Sequence, residues 1–232
     1  MKTTPGTSEP PASSPPRIAS GGPPPPEWAH LLEEVLIPPE RLQQRVDQLA
    51  KAINRDFARS ELLLVPILTG TILFLADLLR RLTIPVQLDF VGVSSYRDRV
   101  RPGKLIFTKE LRLEARGRDL LIIDDILDSG QTLARVRARL AQAKPQSVRA
   151  CVLLAKETSR KASVSADYVG FVIPNKFVVG YGLDYAERYR NLPFVGVLRP
   201  ERSQTGAPAA KQPQARVRSP SRRRVRPNAS PS

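Results

Sequence analysis

Between Leu120 and Leu133 the chain reads Leu-Leu-Ile-Ile-Asp-Asp-Ile-Leu-Asp-Ser-Gly-Gln-Thr-Leu. Its first four residues are aliphatic, with no polar residue among them. A run of this kind is at home only in a strand covered on both faces. Two adjacent acids, Asp124 and Asp125, then stop it. A short loop follows, Asp128-Ser129-Gly130-Gln131-Thr132, and the next pattern is helical, over Thr132–Gln142. A doubly covered strand that feeds directly into a helix is the building unit of a mainly parallel sheet.

The rest of the middle of the chain repeats that alternation. Leu42, Val46, Leu49, Ile53 and Phe57 recur at helical spacing, which predicts an amphipathic helix over residues 40–59. Leu62–Leu68 reads as a buried strand and Thr71–Leu82 as a helix. Val86–Ser94 is a strand, and Leu105–Leu111 fits a strand on a hairpin. Val148–Leu154 and Tyr168–Ile173 are further strands, with a short one over Phe177–Tyr181. The fold class is therefore α/β, and ligands in such folds collect beyond the carboxyl ends of the strands.

The ends of the chain differ from this middle. Residues 1–26 are dominated by Pro, Ser, Gly and Thr and close on Pro23-Pro24-Pro25-Pro26. Residues 201–232 carry eight basic residues against the single acid Glu201, out of a net charge of +15 for the whole chain. Neither stretch has enough apolar residues to offset the entropy lost on ordering, so both are expected to be disordered tails. The domain is expected over residues 27–200. No apolar run approaches the ~18 residues of a membrane span, and no signal-peptide pattern opens the chain. A cytoplasmic location is the default expectation. The single cysteine, Cys151, lies in an apolar run and reads as core; the single histidine, His30, reads as a surface residue.

Chemistry concentrates at the strand ends. The unpaired N–H groups that open a helix, with the helix dipole behind them, suit a phosphate. Gly130 lets the backbone come close, and Ser129 and Thr132 add hydroxyls. Asp124 and Asp125 can accept hydrogen bonds from a diol or face a hydrated Mg²⁺. The same residues also fit a plainer role, a solvated strand end followed by a helix cap. The Gly spacing and Lys of a Walker loop are missing, and so is the dinucleotide fingerprint. Phe177 alone could be core, Lys156 alone a surface lysine, and Arg190 alone half of an ion pair with Glu187.

Ile122-Ile123-Asp124-Asp125-Ile126-Leu127-Asp128-Ser129-Gly130-Gln131-Thr132 resembles the motif by which type I phosphoribosyltransferases bind 5-phosphoribosyl-1-diphosphate (PRPP). The segment Ile173–Pro193, with Ser94-Ser95-Tyr96 and Leu153-Leu154-Ala155-Lys156, resembles the hypoxanthine-guanine members of that family. The resemblance implies a mainly parallel twisted sheet flanked by helices, with a small base-binding hood. It implies that Asp124, Asp125, Asp128, Ser129, Gly130, Gln131 and Thr132 bind PRPP, with Asp128 taking the proton from the attacking purine nitrogen. Phe177 would stack on the purine, Lys156 would donate to its exocyclic oxygen, and the Val178 backbone would read the ring edge. Asp184 would join Asp124 and Asp125 around Mg²⁺. Thr69, Gly70 and Arg190 would hold diphosphate, with a cis peptide at Leu68–Thr69; many members have Lys where this chain has Thr69. Ser95 and Tyr96 would begin a loop that closes over the site. The implied partners are PRPP, a 6-oxopurine and further copies of the chain, as homodimer or homotetramer. The Arg222-Arg223-Arg224 cluster leaves a nucleic-acid contact open, and with it a regulatory RNA-binding role for the fold. A preference for xanthine is the other reading left open.

Overall fold

The computed structural model describes residues 14–95, 105–158 and 164–200. Among these, a seven-stranded sheet runs β5(Leu105–Lys109), β4(Val91–Ser95), β2(Leu62–Leu68), β6(Asp119–Leu127), β7(Ser147–Lys156), β8(Tyr168–Ile173), with β3(Val86–Leu88) also paired to β2. All neighbouring pairs are parallel except β4 with β5. Alternate residues of the same strands enter different cores. Leu62, Leu64, Leu121 and Ile123 join one cluster; Leu63, Val65, Leu120 and Ile122 join the other. That alternation is why the strands read as unbroken apolar runs.

Helices α1(Pro39–Asp56) and α2(Ile72–Leu79) cover the first face through Leu42, Val46, Leu49, Ile53, Phe74 and Leu78. Pro39 sits at the first helical position, where a missing N–H costs nothing. Helix α3(Gln131–Ala141) covers the other face through Leu133, Val136 and Leu140. Cys151 is fully buried and His30 exposed, as their sequence context predicts.

The strand expected over Val86–Ser94 is broken. Asp89 turns inward at the break and is 6% exposed. Its carboxylate accepts hydrogen bonds from Lys109 Nζ at 2.7 Å, Phe90 N–H at 2.8 Å, Leu113 N–H at 3.0 Å and Arg112 N–H. A side chain that satisfies so many backbone donors displaces the ladder.

A second sheet, antiparallel, runs β1(Leu32–Ile37), β10(Val195–Leu198), β9(Val178–Val179). It is the small hood. Strands β1 and β10 escaped the sequence reading: Glu33-Glu34 breaks the alternation in one, and the other is only four residues long. The expected tail at residues 1–26 also needs correction from residue 14 onward. Ile18 is buried in the main core, Arg17 bridges to Val172, and Gly22 bridges to Val35. The unpaired edge of β8 supplies the hydrogen bonds that order a segment with almost no core residues of its own.

Candidate active site

A cleft of about 340 Å³ opens at the carboxyl ends of β2 and β6. Loop 68–70, the run from Asp124 to Gly130, Thr132, Asp184 and Arg190 line it. Gly130 precedes α3 with φ at 76°. The first N–H groups of that helix therefore face the cleft end of the loop, where an anion is best held.

Asp124 is buried, and Asp125 stands beside it. The Asp125 N–H donates to Asp124 Oδ1 at 3.1 Å, and the Ile126 N–H donates to Asp125 Oδ1 at 2.7 Å. Burial, reinforced by the neighbouring Asp125 charge, pushes the Asp124 carboxyl well above the usual carboxylate range. Burial raises Asp125 as well, against hydrogen bonds and the pull of Arg190. Two desolvated carboxyls side by side are costly as a dianion. They form a hard oxygen donor set of the kind a divalent cation or a sugar diol relieves. Among the described residues no cluster of three His, Cys, Asp or Glu could hold a metal alone. A cation at this pair would need a ligand's own oxygens to complete its shell.

Loop 68–70 enters through a cis peptide at Leu68–Thr69, where the family resemblance puts one. Thr69 lies exposed on the cleft wall. A Cβ on Gly70 would lie 1.7 Å from Asp125 Oδ2. On Gly182, whose φ is 101°, it would lie 2.0 Å from the carbonyl oxygen of Gly70. Only glycine fits at 182, whereas a side chain at 70 would have to push the Asp125 carboxylate aside. Gly182 was not among the residues expected at the site; its signal is the closely spaced Gly180 and Gly182 just after the Lys176-Phe177-Val178-Val179 run.

Arg190 crosses from the hood to this wall. Its Nη2 lies 2.9 Å from Asp184 Oδ1 and 2.8 Å from Glu187 Oε2, and its Nη1 donates to the Gly182 carbonyl at 2.9 Å. The Glu187 N–H in turn donates to Asp184 Oδ2 at 2.9 Å. The ion pair that could have made Arg190 a bystander is thus present, within the cleft wall itself.

Lys156 closes the end of β7 and donates from Nζ to Asp128 Oδ2 at 2.8 Å. Its side chain is only 12% exposed, so it is no solvated surface lysine. Phe177, at 46% exposure, is not core either. It meets Tyr185 edge-on, with ring centroids 5.7 Å apart. Val178 is buried and pairs with Val197. Lys156 and Phe177 do not line the acidic cleft but stand beside it, Lys156 through Asp128 and Phe177 next along the hood from β9. Ser95 ends β4, while Tyr96 and the loop expected to close over the site lie outside the described residues.

A mainly parallel sheet with an acidic, glycine-walled cradle at its carboxyl edge and a helix start beside it suits an anionic ligand that carries hydroxyls. The chain belongs to the phosphoribosyltransferase family: the family model for the phosphoribosyl transferase domain matches residues 37–186. It is 43% identical over 172 residues to the hypoxanthine-guanine phosphoribosyltransferase of Bacillus subtilis, covering 74% of this chain and 96% of that one. It is 44% identical over 171 residues to the bifunctional protein TilS/HprT of Listeria innocua, covering 73% of this chain but only 26% of that longer one. A Staphylococcus aureus hypoxanthine phosphoribosyltransferase structure superposes with a TM-score of 0.70 at 40% identity, covering 73% of this chain and 93% of that one.

Proposed function

We propose that the chain is a hypoxanthine-guanine phosphoribosyltransferase of purine salvage. It makes IMP or GMP and diphosphate from PRPP and a 6-oxopurine, with Mg²⁺. The observation that carries this reading is the Lys156–Asp128 pair, 2.8 Å apart beside the cradle. A 6-oxopurine presents its exocyclic oxygen next to ring nitrogen N7. A fixed cation and a fixed carboxylate, side by side, match those two neighbours. Adenine offers an amino donor where Lys156 donates, and the unmet donors reject it.

In this reading Asp128 faces a different nitrogen from the attacking one that the family resemblance suggested. With Lys156 on the exocyclic oxygen, Asp128 lies toward N7 rather than toward the attacking nitrogen N9. It accepts the ring proton there as N9 bonds to C1 of the ribose. Phe177 stacks on the base, and the Val178 backbone reads the far ring edge. Ser129, Gly130, Gln131 and Thr132 hold the 5-phosphate at the start of α3. Asp124 and Asp125 hold the ribose hydroxyls. Thr69 and Gly70 offer backbone N–H groups to the diphosphate, and Arg190 offers paired donors. Asp124, Asp125 and Asp184 would hold Mg²⁺, which supplies charge neutralisation of the leaving diphosphate. Ser95 and Tyr96 begin the loop that excludes water.

No helix among the described residues is long and apolar enough to cross a membrane. A cytoplasmic location and a homodimer or homotetramer belong to the same reading. A nucleic-acid contact by residues 201–232 is a separate matter, and no named relative supports an RNA-binding regulator. The test is nucleotide formation from PRPP and Mg²⁺ with hypoxanthine, guanine, xanthine and adenine side by side. Product from hypoxanthine or guanine with adenine inert is expected. Silence on every base sinks the reading.

A further inference from the structure

Residues 16–22 precede the matched family region, yet they touch β8, the residue that follows Lys156, and the β1 glutamate that holds Lys176. The Ile18 N–H donates to the Val172 carbonyl at 2.9 Å, and the Val172 N–H donates to the Pro16 carbonyl at 3.0 Å. That pairing extends the sheet past β8, one residue before its last. Arg17 Nη1 lies 3.6 Å from the carboxylate of Glu157, the residue after Lys156. The Gly21 N–H donates to Glu34 Oε2 at 2.6 Å. The other oxygen of that carboxylate, Oε1, accepts from Lys176 Nζ at 2.7 Å. Lys176 immediately precedes Phe177.

Glu34 is therefore a hinge pin between two segments far apart in sequence. Its side chain is only 14% exposed, against 45% for Glu33, the weaker partner of Lys176 at 3.2 Å. The turn it holds has little else to fix it. From Pro174 to Phe177 the backbone bonds are Lys176 N–H to the Pro174 carbonyl and Leu198 N–H to the Phe177 carbonyl. The Phe177 ring itself is half exposed and contacts Tyr185 by an edge. A platform that is not packed into the core needs its backbone held from outside.

We propose that Gly21, Glu34 and Lys176 form a positioning relay. The strap at residues 16–22 fixes the turn that presents Phe177, and so sets affinity for the purine rather than for PRPP. The inference rests on the purine-transfer reading for its kinetic consequence but not for its structural one. Charge-assisted hydrogen bonds of this geometry are the strong class. Burial works against the Glu34 carboxylate, but hydrogen bonds from Lys176 and Gly21 outweigh it and hold it below its ordinary range.

The experiment compares full-length wild type with Glu34→Gln, Gly21→Ala and, as a control, Glu33→Gln. A Cβ on Gly21 would lie 1.9 Å from the Val35 carbonyl oxygen, so Gly21→Ala lifts the strap without touching Glu34. Hydrogen exchange of segment 174–178 and KM for hypoxanthine and PRPP are measured for each. Glu34→Gln and Gly21→Ala should each raise KM for hypoxanthine about three- to tenfold, with kcat and KM for PRPP changed less than about twofold. Both should speed exchange at 174–178, and Glu33→Gln should do neither. Equal rises in both KM values, or unchanged exchange in the Glu34 and Gly21 variants, overturn the relay. If wild type forms no nucleotide, the functional reading has failed, and the exchange comparison still decides the relay.

Discussion

The cradle and the hood face each other across one cleft and are built by opposite means. The cradle, Asp124 to Thr132, is a single run of chain from the last residues of strand β6 to the first of helix α3, and its geometry follows from that junction. The hood is assembled from β1, β9 and β10, drawn from both ends of the domain, and from turns pinned by side chains such as Arg190 and Glu34. The cradle and the rest of the main sheet also treat charge differently. Asp89, at a strand break in the main sheet, has four donors of its own, and its pKa sits far below the usual carboxylate range: hydrogen bonds from Lys109 and the Arg112, Leu113 and Phe90 N–H groups outweigh its burial. Asp124 and Asp125 have mainly each other, and burial raises both. A carboxylate the fold completes serves stability, whereas a pair the fold leaves incomplete is available to a ligand.

The sharpest way to break that contrast is at Asp128, where the proposed function sets the base against the cradle. Asp128→Asn should keep PRPP binding within a few-fold and lower turnover by about 10²–10⁴; unchanged turnover would remove Asp128 as the base. Asp89→Asn should cost about 2–3 kcal/mol of folding stability at neutral pH and leave kinetics alone. The sign follows from the lowered pKa. Below the ordinary carboxylate range the unfolded chain takes up a proton before the folded one does, so the wild-type advantage is full at neutral pH and shrinks as acid is added. Denaturant melts at several pH values check it, and a pH-independent difference would count against a held carboxylate. Gly70→Ala should weaken PRPP binding about tenfold by displacing Asp125, with hypoxanthine affinity little changed; isothermal titration separates the two. Phe177→Ala should show the smallest effect, raising KM for hypoxanthine about three- to tenfold. Its melting temperature should hardly move, because the ring is half exposed. A large fall would mean that Phe177 is core after all.

How much of this could be read from the chain follows the same divide. The buried strands Leu62–Leu68 and Leu120–Ile123, helix α1 and the loop into α3 declare themselves in local pattern, because each is dictated by neighbours in sequence. The cradle residues were legible for that reason. Hood strands β1 and β10 were not, although the short strand at β9 was: β1 contains two adjacent glutamates, both taken up by Lys176 across the hood, and no local pattern reports a partner so distant. The strap at residues 16–22 looked like a tail, since its order comes from a sheet edge it does not itself encode. Lys156 and Phe177 were visible only through family resemblance; alone, neither residue type distinguishes a site from a surface.

The contact between Gly70 and Gly182 carries a consequence for inheritance. A Cβ on Gly182, at positive φ, meets the Gly70 carbonyl, main chain that every sequence shares, so no compensating change elsewhere makes room there. The obstacle at Gly70 is the Asp125 carboxylate, a side chain that yields only by leaving its place in the cradle. In a library of random variants Gly182 should read as glycine and nothing else, and Gly70 as glycine wherever PRPP binding is selected. The flanking Thr69, facing open cleft, should tolerate a spread of residues, which is how a lineage could exchange a lysine there for a threonine while the wall behind it stayed fixed.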